Sequence, residues 1–340
     1  MAFLVDCHRG HVKRFDFRRF AFFVSFFPQL VAGPVVHHAE LIPQIEARVR
    51  FDARLFSQGL FLFVMGLFKK TVIADRLAEY VDPLFAAGTP LPLAEAWTAA
   101  VGYGLQLYFD FSGYSEMAVG MGLMFGLRLP RNFNSPYQAA SIADFWRRWH
   151  MSLSRFLRDY LYIPLGGSRH GFARGMAALM ATFVLGGLWH GAAWTFVAWG
   201  ALHGVFVALH RLWARTGLEL PRPLGVLLTW TAVTLAWVMF RAESVAQAFS
   251  VWKGMAGLNG ADVPSAFRPL CAACQPSTLA TGVELCVFLM LLAWCMERPN
   301  AADAAANLVP GKRSLLRLHA SALACVFLAS GRQSFIYWQF

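Results

Sequence analysis

Of the 340 residues, 57% are hydrophobic and 14% are charged, against roughly a quarter charged in an ordinary soluble domain; one water-soluble core cannot hide that balance. The net charge of +11 is concentrated in the connectors between apolar runs, as in loops retained on the cytoplasmic side or facing anionic lipid, which argues against a nucleic-acid-binding face. The composition predicts a single membrane-embedded, all-α, polytopic unit over residues 1–340, with the lipid bilayer as partner and no nucleic acid.

The first twenty residues carry Asp6, Asp16 and five Lys or Arg, so they lack the uninterrupted apolar core of a secretory signal. A helix needs about 20 mostly apolar residues to cross the hydrocarbon layer. On that criterion spans are expected near 20–34, 56–75, 94–127, 176–210, 223–240, 279–297 and 315–330, for about eight to ten passes in all. His37 and His38 read as loop residues. The run from Phe56 to Phe68 ends at Lys69 and Lys70 and is short enough to be tilted or re-entrant.

The 94–127 segment is long enough for two passes. Asp110 and Glu116 interrupt it, and carboxylates at that depth require partners or water. They could orient a histidine or a substrate hydroxyl, or pair structurally with arginines of the 147–158 stretch. Gly122 and Gly126 form a GxxxG that predicts helix packing.

Residues Ala143 to Gly167 predict one amphipathic helix at the membrane surface or lining a polar funnel. At helical spacing Phe145, Trp149, Phe156 and Tyr160 share one face, and Arg147, His150, Ser154 and Arg158 share another. Asp144 and Arg148, four apart, can pair, and the helix should stop near Pro164 before the Gly166-Gly167 turn. The basic stretch from Arg128 to Arg169 is expected on the cytoplasmic side.

From Met176 to His210 there is no Asp, Glu, Lys or Arg. A straight helix over that run would be roughly 52 Å long, nearly twice the bilayer core, so a break is predicted at Gly186, Gly187 or Gly191. His190 lies there in Gly186-Gly187-Leu188-Trp189-His190-Gly191. Flanking glycines admit another backbone or a thin acyl chain, and the low dielectric favours a neutral imidazole able to act as a general base. The alternative is a satisfied structural histidine. His150 is either an interfacial group bonded to headgroups or the second histidine of a polar passage. His203 and His210 share a helix face, but with no carboxylate and no HExxH spacing they do not predict a metal site. Cys271 and Cys274 form a lone CxxC, a weak zinc or redox signal, and Cys286, Cys295 and Cys325 read as small hydrophobes.

Four blocks then stand out in order along the chain: Phe26-Phe27-Pro28-Gln29-Leu30-Val31-Ala32-Gly33-Pro34; Asp110-Phe111-Ser112-Gly113-Tyr114-Ser115; Asn132-Phe133-Asn134 through Phe145 to Ser154 and on to Pro164-Leu165-Gly166-Gly167; and Leu188-Trp189-His190-Gly191-Ala192. With Phe335 to Phe340 at the end, they give a chain that resembles the membrane-bound O-acyltransferases, most closely the alginate O-acetylase branch. The resemblance implies a helical bundle with a central funnel, an intramembrane catalytic histidine matched by His190, and a second important histidine matched by His150. It implies no bound cofactor and no metal. The expected donor is acetyl-CoA or a related acyl thioester, supplied from the cytoplasm to a multi-pass protein of the bacterial inner membrane. An extracytoplasmic acetyltransferase partner and a polysaccharide such as alginate would receive the acetyl group.

Arg147, Arg148, Arg155 and Arg158 become candidates for holding donor phosphates, alongside Asp110 and Ser154 as substrate-binding groups. The resemblance also implies further helices ahead of the connector Met1 to Gly10, so the chain reads as N-terminally short. The competing readings are a transporter or flippase of acylated material without covalent chemistry, and an inactive remnant.

Overall fold

The computed structural model describes residues 2–12, 16–30, 33–47, 50–260, 300–308 and 311–328. The predicted span at 279–297, the CxxC, Cys286, Cys295 and the block from Phe335 to Phe340 lie outside the described residues. Everything regular among the described residues is helical, as the hydrogen-bonding demands of a bilayer require.

Three short helices open the chain, α1 (Ala2–His8), α2 (Phe17–Ser25) and α3 (His38–Glu46). Nine-residue α2 gives way to a 3₁₀ turn at Phe27–Gln29, so the span expected at 20–34 does not form; Pro28 in that turn has no amide hydrogen to continue a helix. Next come α4 (Ala53–Phe68), a π-helical turn over Lys69–Ala74 and α5 (Asp75–Ala86), which run on as one 34-residue rod.

Helix α6 (Leu93–Met124) is the hub of the bundle, with its middle buried from Gly102 to Gly113. It does not make the two passes its length allowed: 32 residues form one uninterrupted helix, roughly 48 Å long. Helix α4 lies antiparallel against it at backbone contact. A Cβ added at Gly59 would lie 2.5 Å from the Gly120 carbonyl oxygen, and one at Gly113 would lie 2.6 Å from the Gly66 oxygen. The packing glycines are therefore 59 and 66 against 120 and 113. The Gly122–Gly126 pair instead serves the helix end, where Gly126 takes φ +74° and closes the turn as a left-handed cap.

The polar middle of the chain forms α7 (Ile142–Arg148), α8 (Met151–Leu157) and a second π turn, Arg158–Tyr162. The long apolar run that follows folds as a hairpin of α9 (Phe172–His190) and α10 (Trp194–Trp213); α11 (Arg222–Arg241) packs against α10, and α12 (Val245–Met255) against α6 and α11. The break falls at Gly191; Gly186 and Gly187 stay helical, Gly187 passing close against the carbonyl of Phe196. Helices α13 (Ala301–Ala306) and α14 (Lys312–Leu328) lie against α4.

Four of the described helices are long and apolar enough to cross a bilayer, namely Ala53–Ala86, α9, α10 through Thr216, and α11. That is fewer than the eight to ten expected. Among the described segments α2 is too short, α6 is a single helix that is not apolar enough to be counted and carries three carboxylates, and α14 offers only a short apolar stretch, Leu318–Leu328. The protein is a multi-pass membrane protein.

Candidate active site

The predicted amphipathic helix over 143–167 is broken in its middle. Trp149 is extended and His150 adopts a left-handed backbone, φ 42° and ψ 53°, a conformation that costs a non-glycine residue about 1–2 kcal/mol. The neighbouring chain holds it there. Asn134 N–H donates to the Arg148 carbonyl at 3.0 Å and Met151 N–H to the Asn132 carbonyl at 2.9 Å, while Ser152 Oγ donates to Asn132 Oδ1 at 2.5 Å. Phe133 packs edge-on against Trp149 and Phe111 against His150, with centroids 5.0 and 4.7 Å apart. The Asn132-Phe133-Asn134 block is thus the clamp that turns His150 inward. Its ring is buried, and Nδ1 has no hydrogen-bond partner.

His190 ends α9. Its ring stands edge-on to Trp199 and to Phe240, each at 5.3 Å between centroids. Both histidines line one predominantly apolar cavity of about 170 Å3, walled by Trp146, Leu153, Phe183, Trp199, Trp237 and Phe240. The two rings that the sequence placed forty residues apart therefore share a chamber.

That chamber shares Ser154, Arg158, Tyr162, Phe183 and Arg211 with a wider vestibule of about 700 Å3. Arg131, Arg147, Arg155, Arg158, His210 and Arg211 line the vestibule, and among the described residues no carboxylate does. Arg155 is held by Glu40 at 2.5 Å, Arg158 by Asp159 at 2.7 Å and Arg131 by Asp303 at 2.6 Å. Arg147 and Arg211 make no ion pair among the described residues; Arg211 donates to Tyr162 Oη at 3.1 Å.

A third cavity, of about 260 Å3, abuts the far side of Phe240 and is lined by Asp82, Tyr103, Gln106, Thr195, Arg241 and Glu243 among others. Thr195 starts α10 and Arg211 is near its end, so this chamber and the vestibule lie roughly 24 Å apart along that helix. The three spaces form a series from one end of α9–α11 to the other.

Several predicted site residues lie elsewhere. Asp110 lines none of these cavities; it pairs with Lys70 at 2.7 Å, and Glu116 pairs with Lys69 at 2.5 Å. The partners are lysines of the first π turn, not the arginines of 147–158, because that turn places both lysines against α6. Arg148 is held by Asp144 at 2.9 Å, as its i,i+4 spacing predicted, and stays out of the vestibule. Ser154 does line both the chamber and the vestibule, donating to the Trp149 carbonyl at 3.3 Å. His203 is fully buried and accepts from Trp146 Nε1 at 3.3 Å, a structural role in the aromatic core.

His38 is not a loop residue, whereas His37 stands at the end of the loop that leads into α3. His37 caps α3 and His38 begins it. Both meet buried Asp6, at 2.7 and 3.4 Å, and Tyr160 Oη donates to the same carboxylate at 2.7 Å. The three could approach a metal, but His37 Nδ1 accepts the Ala39 amide at 3.3 Å. Its Nε2 then carries a proton, and the group is a hydrogen-bonded junction between the N-terminal connector and the second π turn.

Tyr103, Gln106, Phe240 and Arg211 were not singled out from sequence. Gln106 as an isolated amide within an apolar helix, and Arg211 as the first charge after the long apolar run, were the available signals.

With this geometry stands the likeness to known proteins. Residues 7–252 match the model of the membrane-bound O-acyltransferase family. The chain belongs to that family. It is 50% identical over 250 residues to a peptidoglycan O-acetyltransferase of Helicobacter pylori, covering 72% of this chain and 47% of that protein. It is 40% identical over 311 residues to a probable alginate O-acetylase of Pseudomonas aeruginosa, covering 90% of this chain and 59% of the other. A teichoic acid D-alanyltransferase of Bacillus subtilis is 27% identical over 222 residues, 62% of this chain and 56% of that one. The chain thus spans about half to three fifths of the length of these relatives.

Proposed function

We propose that this membrane-bound O-acyltransferase family member moves acetyl from a cytoplasmic acyl thioester, acetyl-CoA or a close analogue, through the membrane toward a hydroxyl of an exported polysaccharide, in the bacterial inner membrane. Relatives named for acetylating peptidoglycan and alginate support the acetyl group and the polymer class. The observation that carries the reading is a pair of imidazoles, His150 and His190, in one apolar chamber with an arginine-lined vestibule at one end and a polar cavity at the other.

Arg147 and Arg211 are the vestibule cations left to meet the phosphates of a donor, and the narrow aromatic chamber suits the thin acyl-bearing arm. His190 takes the proton from the acceptor hydroxyl, whose oxygen attacks the thioester carbonyl. An N–H of His150 stabilises the oxyanion. Collapse breaks the carbon–sulfur bond, and the proton held on His190 passes to the departing thiolate, leaving an ester and a free thiol. The polar cavity on the far side admits the acceptor, or the hydroxyl of an extracytoplasmic partner protein that hands the group on.

The test uses the full-length protein in oriented vesicles with labelled acetyl-CoA outside the vestibule face. Label should appear on a hydroxyl acceptor at the opposite face, with one thiol released per acetyl, and His190→Ala should stop both. Movement of acylated material with no thiol release would establish the transporter reading instead.

A further inference from the structure

We infer that the cavity behind Phe240 is a subsite for a saccharide hydroxyl, positioned by Tyr103 and Gln106; the inference rests on the acyl-transfer reading above. Both residues sit on α6, one turn apart, and are 1% and 4% exposed. Both line the cavity. The Tyr103 hydroxyl and Gln106 Oε1 have no hydrogen-bond partner among the described residues, although buried polar groups are ordinarily satisfied. Two such groups, one turn apart on a buried helix and belonging to residues that line one cavity, mark a place where a ligand completes the bonding.

Their chemistry selects the ligand. A phenolic hydroxyl donates and an amide oxygen accepts, which is the complement of one alcohol group. The cation around them is already engaged: Asp82 pairs with Arg241 at 3.2 Å, the Arg241 guanidinium lies 5.1 Å from the ring centre of Phe85 and 6.0 Å from that of Tyr103, and Glu243 leaves the lining with more carboxylates than cations. Such a lining does not favour an anion, in contrast to the carboxylate-free, arginine-lined vestibule. Tyr103, Phe196 and Phe240 offer flat apolar faces beside planar polar groups, a combination that fits a sugar ring, apolar on its faces and hydroxylated at its edge. Phe240 lines both this cavity and the histidine chamber and packs on His190, so a hydroxyl held by Tyr103 and Gln106 waits one ring away from the base.

The experiment compares wild type, Tyr103→Phe and Gln106→Leu in the full-length protein, with methyl β-glucoside as the acceptor probe and thiol release as the readout. Each variant should raise the KM for the glucoside about tenfold, the worth of one hydrogen bond, with the Kd for acetyl-CoA unchanged. The thermal midpoint should not fall, since neither group bonds the protein. An unchanged glucoside KM, an equal rise in the acetyl-CoA Kd, or a response to N-acetyltyrosinamide with none to the glucoside would each overturn the subsite. If wild type releases no thiol, the acyl-transfer reading fails separately. Glucoside binding by tryptophan fluorescence then decides: weakening in both variants sustains the subsite, and no binding to wild type overturns it.

Discussion

The seam between α4 and α6 and the passage between α7–α8 and α9–α11 both carry polar side chains at membrane depth, and they treat them differently. At the seam Lys69 meets Glu116 and Lys70 meets Asp110, in a π turn packed against a helix at glycine contact. Each of these charges has an opposite partner, Lys70 being shared with Asp75 at 2.5 Å, and no cavity described above reaches Lys69, Lys70, Asp110 or Glu116. In the passage two imidazoles line an apolar chamber that shares its wall with a vestibule. A buried charge needs a partner because its desolvation is large, whereas an imidazole can stay neutral and remain available. Polar residues inside a membrane protein therefore divide into those that hold helices together and those that face open space, and only the second kind can meet a substrate.

Substitutions should separate the two regions. The largest effect is expected at the passage: His190→Ala lowers acetyl transfer by about 10²–10⁴-fold, the usual contribution of a positioned general base, with normal protein level and thermal midpoint. Next comes the seam. Lys69→Met strands Glu116 and should destabilise the fold by about 3–5 kcal/mol, read as a lower midpoint in detergent. Lys69→Met with Glu116→Leu should restore most of it, and a double variant as unstable as the single would remove the pairing from the account. His150→Ala should cost about 10²-fold in kcat, the scale of one oxyanion donor, with little change in the donor Kd. Arg147→Gln and Arg211→Gln should each raise the donor KM about tenfold with kcat nearly intact, and the effect should shrink as salt rises.

The smallest effect is a pH dependence outside both regions, at the Asp6 junction. Burial holds His38 below its ordinary 6.5, and the neighbouring His37 adds to this. The unfolded chain therefore takes up that proton first, and stability should begin to fall as pH drops below about 6.5. For Asp6, burial works upward but the Tyr160 hydrogen bond and the two histidines outweigh it, leaving its carboxyl below the usual 3.8. Its contribution, complete above 3.8, is lost at still lower pH. His38→Gln should flatten the upper part of a midpoint-against-pH curve, and a curve unchanged by that variant would exclude the junction.

The membrane class, the α9–α10 break beside His190 and the α11 span could be read along the chain, because each depends on local composition or on a length that a bilayer limits. The Asp144–Arg148 pair was legible for a similar reason, since helical spacing alone sets it. The expectations that failed concern residues whose neighbours come from far away. For Asp110 the spacing leaves open a substrate or histidine contact and an arginine pair, and its partner is Lys70; for His150 it predicts a continuous helix, which Asn132 and Asn134 break. Tyr103 carried no sequence signal and Gln106 only that of a lone amide in an apolar run, because an orphaned hydrogen bond exists only once every other group has been placed.

Sequence by itself determined that this chain is a helical, multi-pass membrane protein, and it pointed to His150 and His190 as the groups to look for within it. Tertiary structure decided which polar residues are paired, which face a cavity, and that the vestibule and the far chamber lie at opposite ends of one helix. Hydrophobicity and helical periodicity act over a turn or two and are written in consecutive residues, whereas a cavity is the space left between elements and belongs to no single one of them.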